Sequence, residues 1–162
     1  MKFNKTPSFY NSEEVFLEYL AKTSYYICLQ NAVSRIVTLC KPESILELGS
    51  GTGETAVRLA KENNKSSITA VDMRKEMIDI GNGISTKEHV DNIDFVQSDM
   101  VQYVKEIGEL PQMIVMLYSF HHISDPHENK IDFLKTCFRK LPPKGQLCIA
   151  ETFLPECSRT LY

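Results

Sequence analysis

The chain has 162 residues, with 18 Lys plus Arg against 21 Asp plus Glu and a hydrophobic fraction of 43%, the profile of one soluble globular domain that holds a core without disulfide or metal staples. A net charge of −3 with no long Lys/Arg cluster makes nucleic acid an unlikely partner, because nonspecific binding depends on neutralising many phosphates. The longest near-continuous apolar stretch, Met113 to Phe120, is far short of the roughly 18 residues of a membrane span, and the polar, basic start from Met1 to Pro7 is not a secretory signal.

The expected location is therefore cytoplasmic. Cys28, Cys40, Cys137, Cys148 and Cys157 form no C-x-x-C pair and read as reduced thiols.

In chain order, Ser12 suits a helix N-cap, with Glu13 and Glu14 in the first turn where carboxylates favour the positive end of the dipole. One or two helices then run to Cys40, and Lys41-Pro42 stops them. This leading segment, residues 1–42, carries Phe9, Tyr10, Phe16, Tyr19, Tyr25 and Tyr26. Packing onto the domain accounts for most of these rings, and Tyr10, Tyr19 and Tyr25 are candidates for a lid over a ligand.

Continuous apolar runs predict strands at Ser44 to Leu48, Ser67 to Val71, Ile93 to Gln97, Met113 to Leu117 and Gln146 to Glu151, each covered on both faces. Helical patterns fall between them at Glu54 to Glu62, Lys75 to about His89, Val101 to Ile107, and Asn129 to Leu141. Gly81 and Gly83 predict a break in the second of these. The alternation predicts an α/β fold with a doubly wound, mostly parallel sheet over residues 43–152.

The stretch Ile45-Leu46-Glu47-Leu48-Gly49-Ser50-Gly51-Thr52-Gly53-Glu54 runs a buried strand into a glycine-rich turn and a helix. Glycines at alternate positions let the backbone turn tightly and approach a ligand, while the N–H groups of the next helix face it. This is a nucleotide-cofactor loop. The dinucleotide fingerprint G-x-G-x-x-G requires glycine where Glu54 stands.

Asp72 closes the second predicted strand, 19 residues after Gly53, where a carboxylate accepts hydrogen bonds from ribose hydroxyls. Asp99 follows the third strand in Phe95-Val96-Gln97-Ser98-Asp99-Met100 and suits either the amino group of an adenine ring or the N-cap of the next helix.

Together these residues resemble the class I S-adenosylmethionine-dependent methyltransferases. The resemblance runs from about Ser44 to Glu151 through ILELGSGTGE, ITAVDMRKEMI, FVQSDM, MIVMLYSFHHISD and LPPKGQLCIAE. It implies a Rossmann-like fold with strand order 3-2-1-4-5 behind an N-terminal helical extension, and S-adenosyl-L-methionine as cofactor. It further implies that Gly49, Ser50, Gly51 and Gly53 lie against the methionine part of the cofactor, with Glu47 ordering the loop and reaching the ammonium. Asp72 is expected on the ribose and Met73 beside the adenine, with Asp99 and the Met100 backbone on the adenine edge. Tyr118 and Tyr10 complete the expected contacts.

On the acceptor side, Tyr118-Ser119-Phe120-His121-His122 follows the fourth strand in place of the Asn-Pro-Pro-Tyr type of motif that the family uses on amide or exocyclic nitrogens. His121 or His122 is a candidate general base, neutral imidazole being matched to pH 7, although such a loop also serves simply as a wall. No spacing supports a metal site.

Full domains of the resembled family end in two further strands, whereas this sequence stops at Tyr162, eleven residues after Glu151. The expectation is a shortened domain with a tail at 153–162, and a homodimer paired through an exposed fifth strand or low stability. The leading functional expectation is transfer of a methyl group to a small-molecule or peptide acceptor. A non-catalytic cofactor-binding or interaction subunit and an NAD(P)-binding oxidoreductase are the alternatives.

Overall fold

The computed structural model describes residues 24–124 and 126–151. The N-cap expected at Ser12, the lid candidates Tyr10 and Tyr19, the side chain of Tyr25, Cys157 and the tail lie outside those residues.

Among them, helix α1 (Ser24–Cys40) leads into strand β1 (Ser44–Leu48), and the chain then alternates through α2 (Glu54–Glu62), β2 (Ser67–Asp72), α3 (Lys75–Lys87), β3 (Ile93–Gln97), α4 (Met100–Glu106), β4 (Met113–Leu117), a short 3-10 turn (Phe120–His122), α5 (His127–Lys140) and β5 (Gln146–Ala150). The five strands form one sheet in the order β3-β2-β1-β4-β5, and every neighbouring pair is parallel. The fold class and strand order expected from the sequence are those observed.

Strand periodicity divides the core into two layers. Ile45, Ile68, Ala70, Met113, Val115 and Leu117 point to the side covered by Val33 and Val37 of α1 and by Ala56, Leu59 and Ala60 of α2. Leu46, Leu48, Val71, Ile114 and Met116 point to the opposite side, against Val104 of α4 and Phe133 and Cys137 of α5. Each of the larger of these side chains, the Val, Leu, Ile, Met and Phe, contributes roughly 1.5–3 kcal/mol on burial. Strands covered on both faces have no reason to alternate polar and apolar residues, which is why they read as continuous runs.

The helix α1 stops at Cys40 because Lys41 turns left-handed at φ 49° ahead of Pro42, while its N–H still reaches the Val37 carbonyl. Cys28 and Cys40 lie exposed on this helix, Cys137 is buried and Cys148 half-buried.

Five sequence expectations need correction. Lys75–Lys87 is one unbroken helix through Gly81 and Gly83. Gly81 is there for closeness: a Cβ on it would stand 2.3 Å from Cε1 of Phe95, whose ring lies against the helix. The helix α4 begins at Met100 because Asp99 caps it, and α5 begins at His127 behind Pro126 instead of at Asn129. β2 extends to Asp72, while β5 ends one residue short of Glu151. No helix among the described residues is long and apolar enough to cross a membrane.

Candidate functional site

The strand order reverses between β1 and β4, so the connections leaving their carboxyl ends diverge to opposite faces and open a crevice there. The connection after β1 is the glycine loop. Gly49, Gly51 and Gly53 have φ of 71°, 54° and 77°, the left-handed region that other residues enter at a cost of about 1–2 kcal/mol.

Two backbone bonds anchor the loop to β2: Gly49 N–H and Ser50 N–H both donate to the Val71 carbonyl, at 2.8 and 3.0 Å. Gly51 N–H then donates to Asp72 Oδ2 at 2.9 Å, and Asp72 Oδ1 accepts from Arg74 N–H at 2.9 Å. The Asp72 carbonyl accepts from Ser98 N–H at 3.0 Å, so this one residue ties together the connections after β1, β2 and β3. A carboxylate offers about four lone-pair sites, so two such bonds leave capacity for further donors.

Space is tight on both sides of the loop. A Cβ on Gly49 would stand 2.5 Å from the Ser119 Cβ and 3.4 Å from the Met100 methyl, and one on Gly53 would stand 2.4 Å from the Phe95 ring. Ser119 is itself buried and donates its hydroxyl to the Leu48 carbonyl at 2.7 Å.

Below the loop, Glu47 is 2% exposed, on the layer that faces α1 and α2. Burial pushes its carboxyl up to about 8; the backbone N–H of Ala56 opposes this and the charge of Asp72 adds to it. Glu47 Oε2 and Ser50 Oγ are buried and accept or donate no hydrogen bond among the described residues. Unpartnered buried polar atoms cost about 1–3 kcal/mol each, and two of them beside a glycine loop mark a place built for a polar ligand.

The third connection carries Asp99, exposed, whose Oδ1 accepts from Val101 N–H and Gln102 N–H, both at 2.9 Å. It is an N-cap, and Oδ2 takes part in neither bond. Met73 is 67% exposed at the rim, and its carbonyl accepts from Gln97 Nε2 at 3.4 Å.

Across the crevice, Tyr118 adopts φ 54° and its N–H reaches the Ala150 carbonyl at 2.8 Å. Its ring meets His121 edge-on at 4.9 Å between centroids, and His121 lies 4.1 Å from His122. Glu151, which the sequence offered only as the end of a strand, turns inward with a side chain 4% exposed. Its Oε2 lies 3.0 Å from His121 Nδ1 and accepts from the His121 amide at 3.2 Å. Burial, then the neighbouring His121, holds His122 below the usual histidine range, against the opposing charges of Glu151 and Asp72. No group of three or more His, Cys, Asp or Glu among the described residues is arranged to hold a metal ion.

Residues 45–145 match a family model for a methyltransferase domain. The chain belongs to the class I S-adenosylmethionine-dependent methyltransferases.

The cofactor of this methyltransferase domain is S-adenosylmethionine. The chain is 32% identical over 121 residues to the demethylmenaquinone methyltransferase of Chlamydia pneumoniae, an alignment covering 74% of this chain and 48% of that protein. Its fold is shared by an O-methyltransferase family protein from Burkholderia thailandensis, with TM-score 0.73 and 11% identity over 91% of this chain and 43% of that one. It is shared too by a methyltransferase from Geobacter sulfurreducens in complex with S-adenosyl-L-homocysteine, with TM-score 0.58 and 20% identity over 75% and 46% of the two chains. The chain spans 24% to 55% of the length of the curated relatives it matches.

Within the methyltransferase domain, Glu47, Gly49, Ser50, Gly51, Gly53, Asp72 and Met100 come together as the sequence grouped them. Met73 and Asp99 stand at the rim of the same edge. Sequence reasoning missed Ser119 and Glu151. The signal for Glu151 was present, since it ends the fifth strand with an acid as Asp72 ends the second.

Proposed function

We propose that this chain is the cofactor-binding body of an enzyme that transfers a methyl group to a small-molecule or peptide acceptor by in-line displacement. The observation that carries the reading is the buried, unpartnered Glu47 Oε2 beneath a left-handed glycine loop at the start of α2. S-adenosylmethionine presents an ammonium, a carboxylate and a sulfonium, and it fits a site that offers buried acid and a helix N-terminus side by side. When bound, it supplies an electrophilic methyl group on a positively charged sulfur.

In this reading Glu47 faces the ammonium, and the backbone of Gly49, Ser50, Gly51 and Gly53 lines the methionine portion. Asp72 uses its spare lone pairs for the ribose hydroxyls, Met73 flanks the adenine, and Asp99 with the Met100 backbone reads the adenine edge. Tyr118 covers the cofactor from the β4 side. The acceptor enters across the crevice beside His121. With Nδ1 engaged by Glu151, the His121 ring leaves Nε2 to take a proton from a hydroxyl or amine. Most of the rate comes from alignment and exclusion of water. A small-molecule acceptor is further supported by the relative from Chlamydia pneumoniae, which by its name acts on demethylmenaquinone.

The test is calorimetric titration with S-adenosyl-L-homocysteine, for the wild type and for Asp72→Ala. Micromolar binding, weakened at least tenfold in the variant, is expected from loss of charge-assisted hydrogen bonds worth about 1.5–3 kcal/mol. A folded wild-type protein that binds none of this ligand would overturn the reading.

A further inference from the structure

Among the described residues, the interior beneath the glycine loop is short of positive charge. Glu47 faces Asp72 from β2 and Tyr26 from α1, and Glu54 at the start of α2 adds its negative charge beside Tyr26, while β4 contributes only the apolar run Met113–Leu117. The Tyr26 hydroxyl lies 3.5 Å from Thr55 Oγ1, and burial pushes this phenol up to about 12, so it stays neutral. His122 is coupled to Asp72 across the crevice and not to Glu47. Among the described residues the backbone N–H of Ala56 is the group that favours a charged Glu47, and no lysine or arginine contributes to its balance.

An ionised carboxylate in that setting would have one oxygen with no donor in a water-poor layer beside another acid, a costly arrangement. A protonated carboxyl avoids the cost. A ligand ammonium removes the reason for protonation, because it brings both the missing donor and the missing charge.

We propose that Glu47 stands as a neutral carboxylic acid in the ligand-free protein and gives up its proton to solvent when the cofactor's ammonium enters, so that cofactor binding and proton release are one linked step. The O–H bond of the carboxyl breaks, the ammonium keeps its own protons, and the carboxylate accepts a hydrogen bond from it. This rests on the cofactor site proposed above and deepens it: the site senses pH through its affinity.

With the free-state carboxyl at about 8, close to nine-tenths of the molecules carry the proton at pH 7, so about 0.9 proton leaves per ligand bound. Linkage then makes the affinity fall about tenfold from pH 7 to pH 6.

The experiment is calorimetric titration of the whole chain with S-adenosyl-L-homocysteine at pH 7 in phosphate, HEPES and Tris, whose ionisation enthalpies differ. The slope of observed enthalpy against buffer ionisation enthalpy counts the protons. A slope near 0.9 released is expected in the wild type, and near zero in Glu47→Gln, which imitates the neutral acid. His122→Gln, which removes the other titrating group beside the site, should leave the release intact. Binding with no buffer dependence in the wild type overturns the proposal alone, and does so even if Glu47→Gln fails to fold. Release that survives Glu47→Gln but vanishes in His122→Gln assigns the proton to the histidine and also overturns it. Absence of binding at any pH from 6 to 8 overturns the cofactor site itself, and this inference with it.

Discussion

Gly81 and Gly83 sit two residues apart in α3 and should respond to alanine in opposite directions. An added Cβ at Gly83 meets nothing within 4 Å, so Gly83→Ala gains the helix-propensity difference, about 0.5–1 kcal/mol. The same gain is available at Gly81, but there the Cβ would lie 2.3, 2.7 and 2.8 Å from three atoms of the Phe95 ring. Restoring an ordinary contact of 3.4 Å means moving the ring edge by 3.4 − 2.3 = 1.1 Å, and the ring has little room to move because Gly53 closes on the same edge. Overpacking of this kind costs about 1–3 kcal/mol, leaving Gly81→Ala destabilised by up to about 2.5 kcal/mol after the propensity gain. The propensity gain is common to both, so the two variants should differ by the overpacking cost, roughly 1–3 kcal/mol, or roughly 2–12 °C in Tm. Urea unfolding followed by far-ultraviolet circular dichroism measures this directly. Adding Phe95→Leu to Gly81→Ala should recover part of the loss. The reasoning fails if Gly81→Ala raises the urea midpoint as Gly83→Ala does.

Other consequences are equally specific. Because burial holds Glu47 protonated up to about pH 8, against the 4.5 of an ordinary exposed glutamate, folding retains protons that the unfolded chain has released. The stability this contributes is full below about pH 4.5, declines by up to about 1.4 kcal/mol per pH unit as the pH rises, and is gone above about 8; Glu47→Gln should flatten that slope in ligand-free urea titrations. Asp99→Ala should cost about 1 kcal/mol by removing the cap of α4, whereas Asp99→Ser should keep the cap. If Asp99→Ser retains wild-type affinity for S-adenosyl-L-homocysteine, the carboxylate does not read adenine. In Asp72→Asn the His122 ring loses an attraction that favours its charged form, so its titration midpoint, read from the Cε1 proton by NMR, should move to still lower pH. An unchanged midpoint would mean that the crevice does not couple the two groups.

β1 and β4 were legible because a strand covered on both faces leaves an uninterrupted apolar run; β3 falls on its predicted bounds too, but as an edge strand with Asp94 and Gln97 exposed it is not covered on both faces as expected. The glycine loop and Asp72 were legible for a related reason: few backbone paths suit three alternating glycines, and an acid at a strand end there has few structural uses. What escaped depended on partners distant in sequence. Nothing near Gly81 announces that the Phe95 ring will lie against it, so the local cost of glycine in a helix pointed to a break. Ser119 looked like a loop residue until the fold brought it to the Leu48 carbonyl, and Glu151 looked like a strand end until His121 turned toward it. The helix start at His127 escaped because Pro126, with φ −78°, occupies the position ahead of the helix without needing an N–H.

The meshing of Ser119 with Gly49 limits how such a domain can be re-engineered. The two residues belong to different connections, one after β1 and one after β4, yet neither tolerates bulk independently of the other. A loop after β4 grafted from another protein to change acceptor preference must bring a small residue to position 119, and a hydroxyl there if the Leu48 carbonyl is to keep its donor. Serine satisfies both demands; a larger residue would push the first glycine out of place. Loop exchanges at this edge are therefore best made in pairs, with the segment after β1 travelling together with the segment after β4.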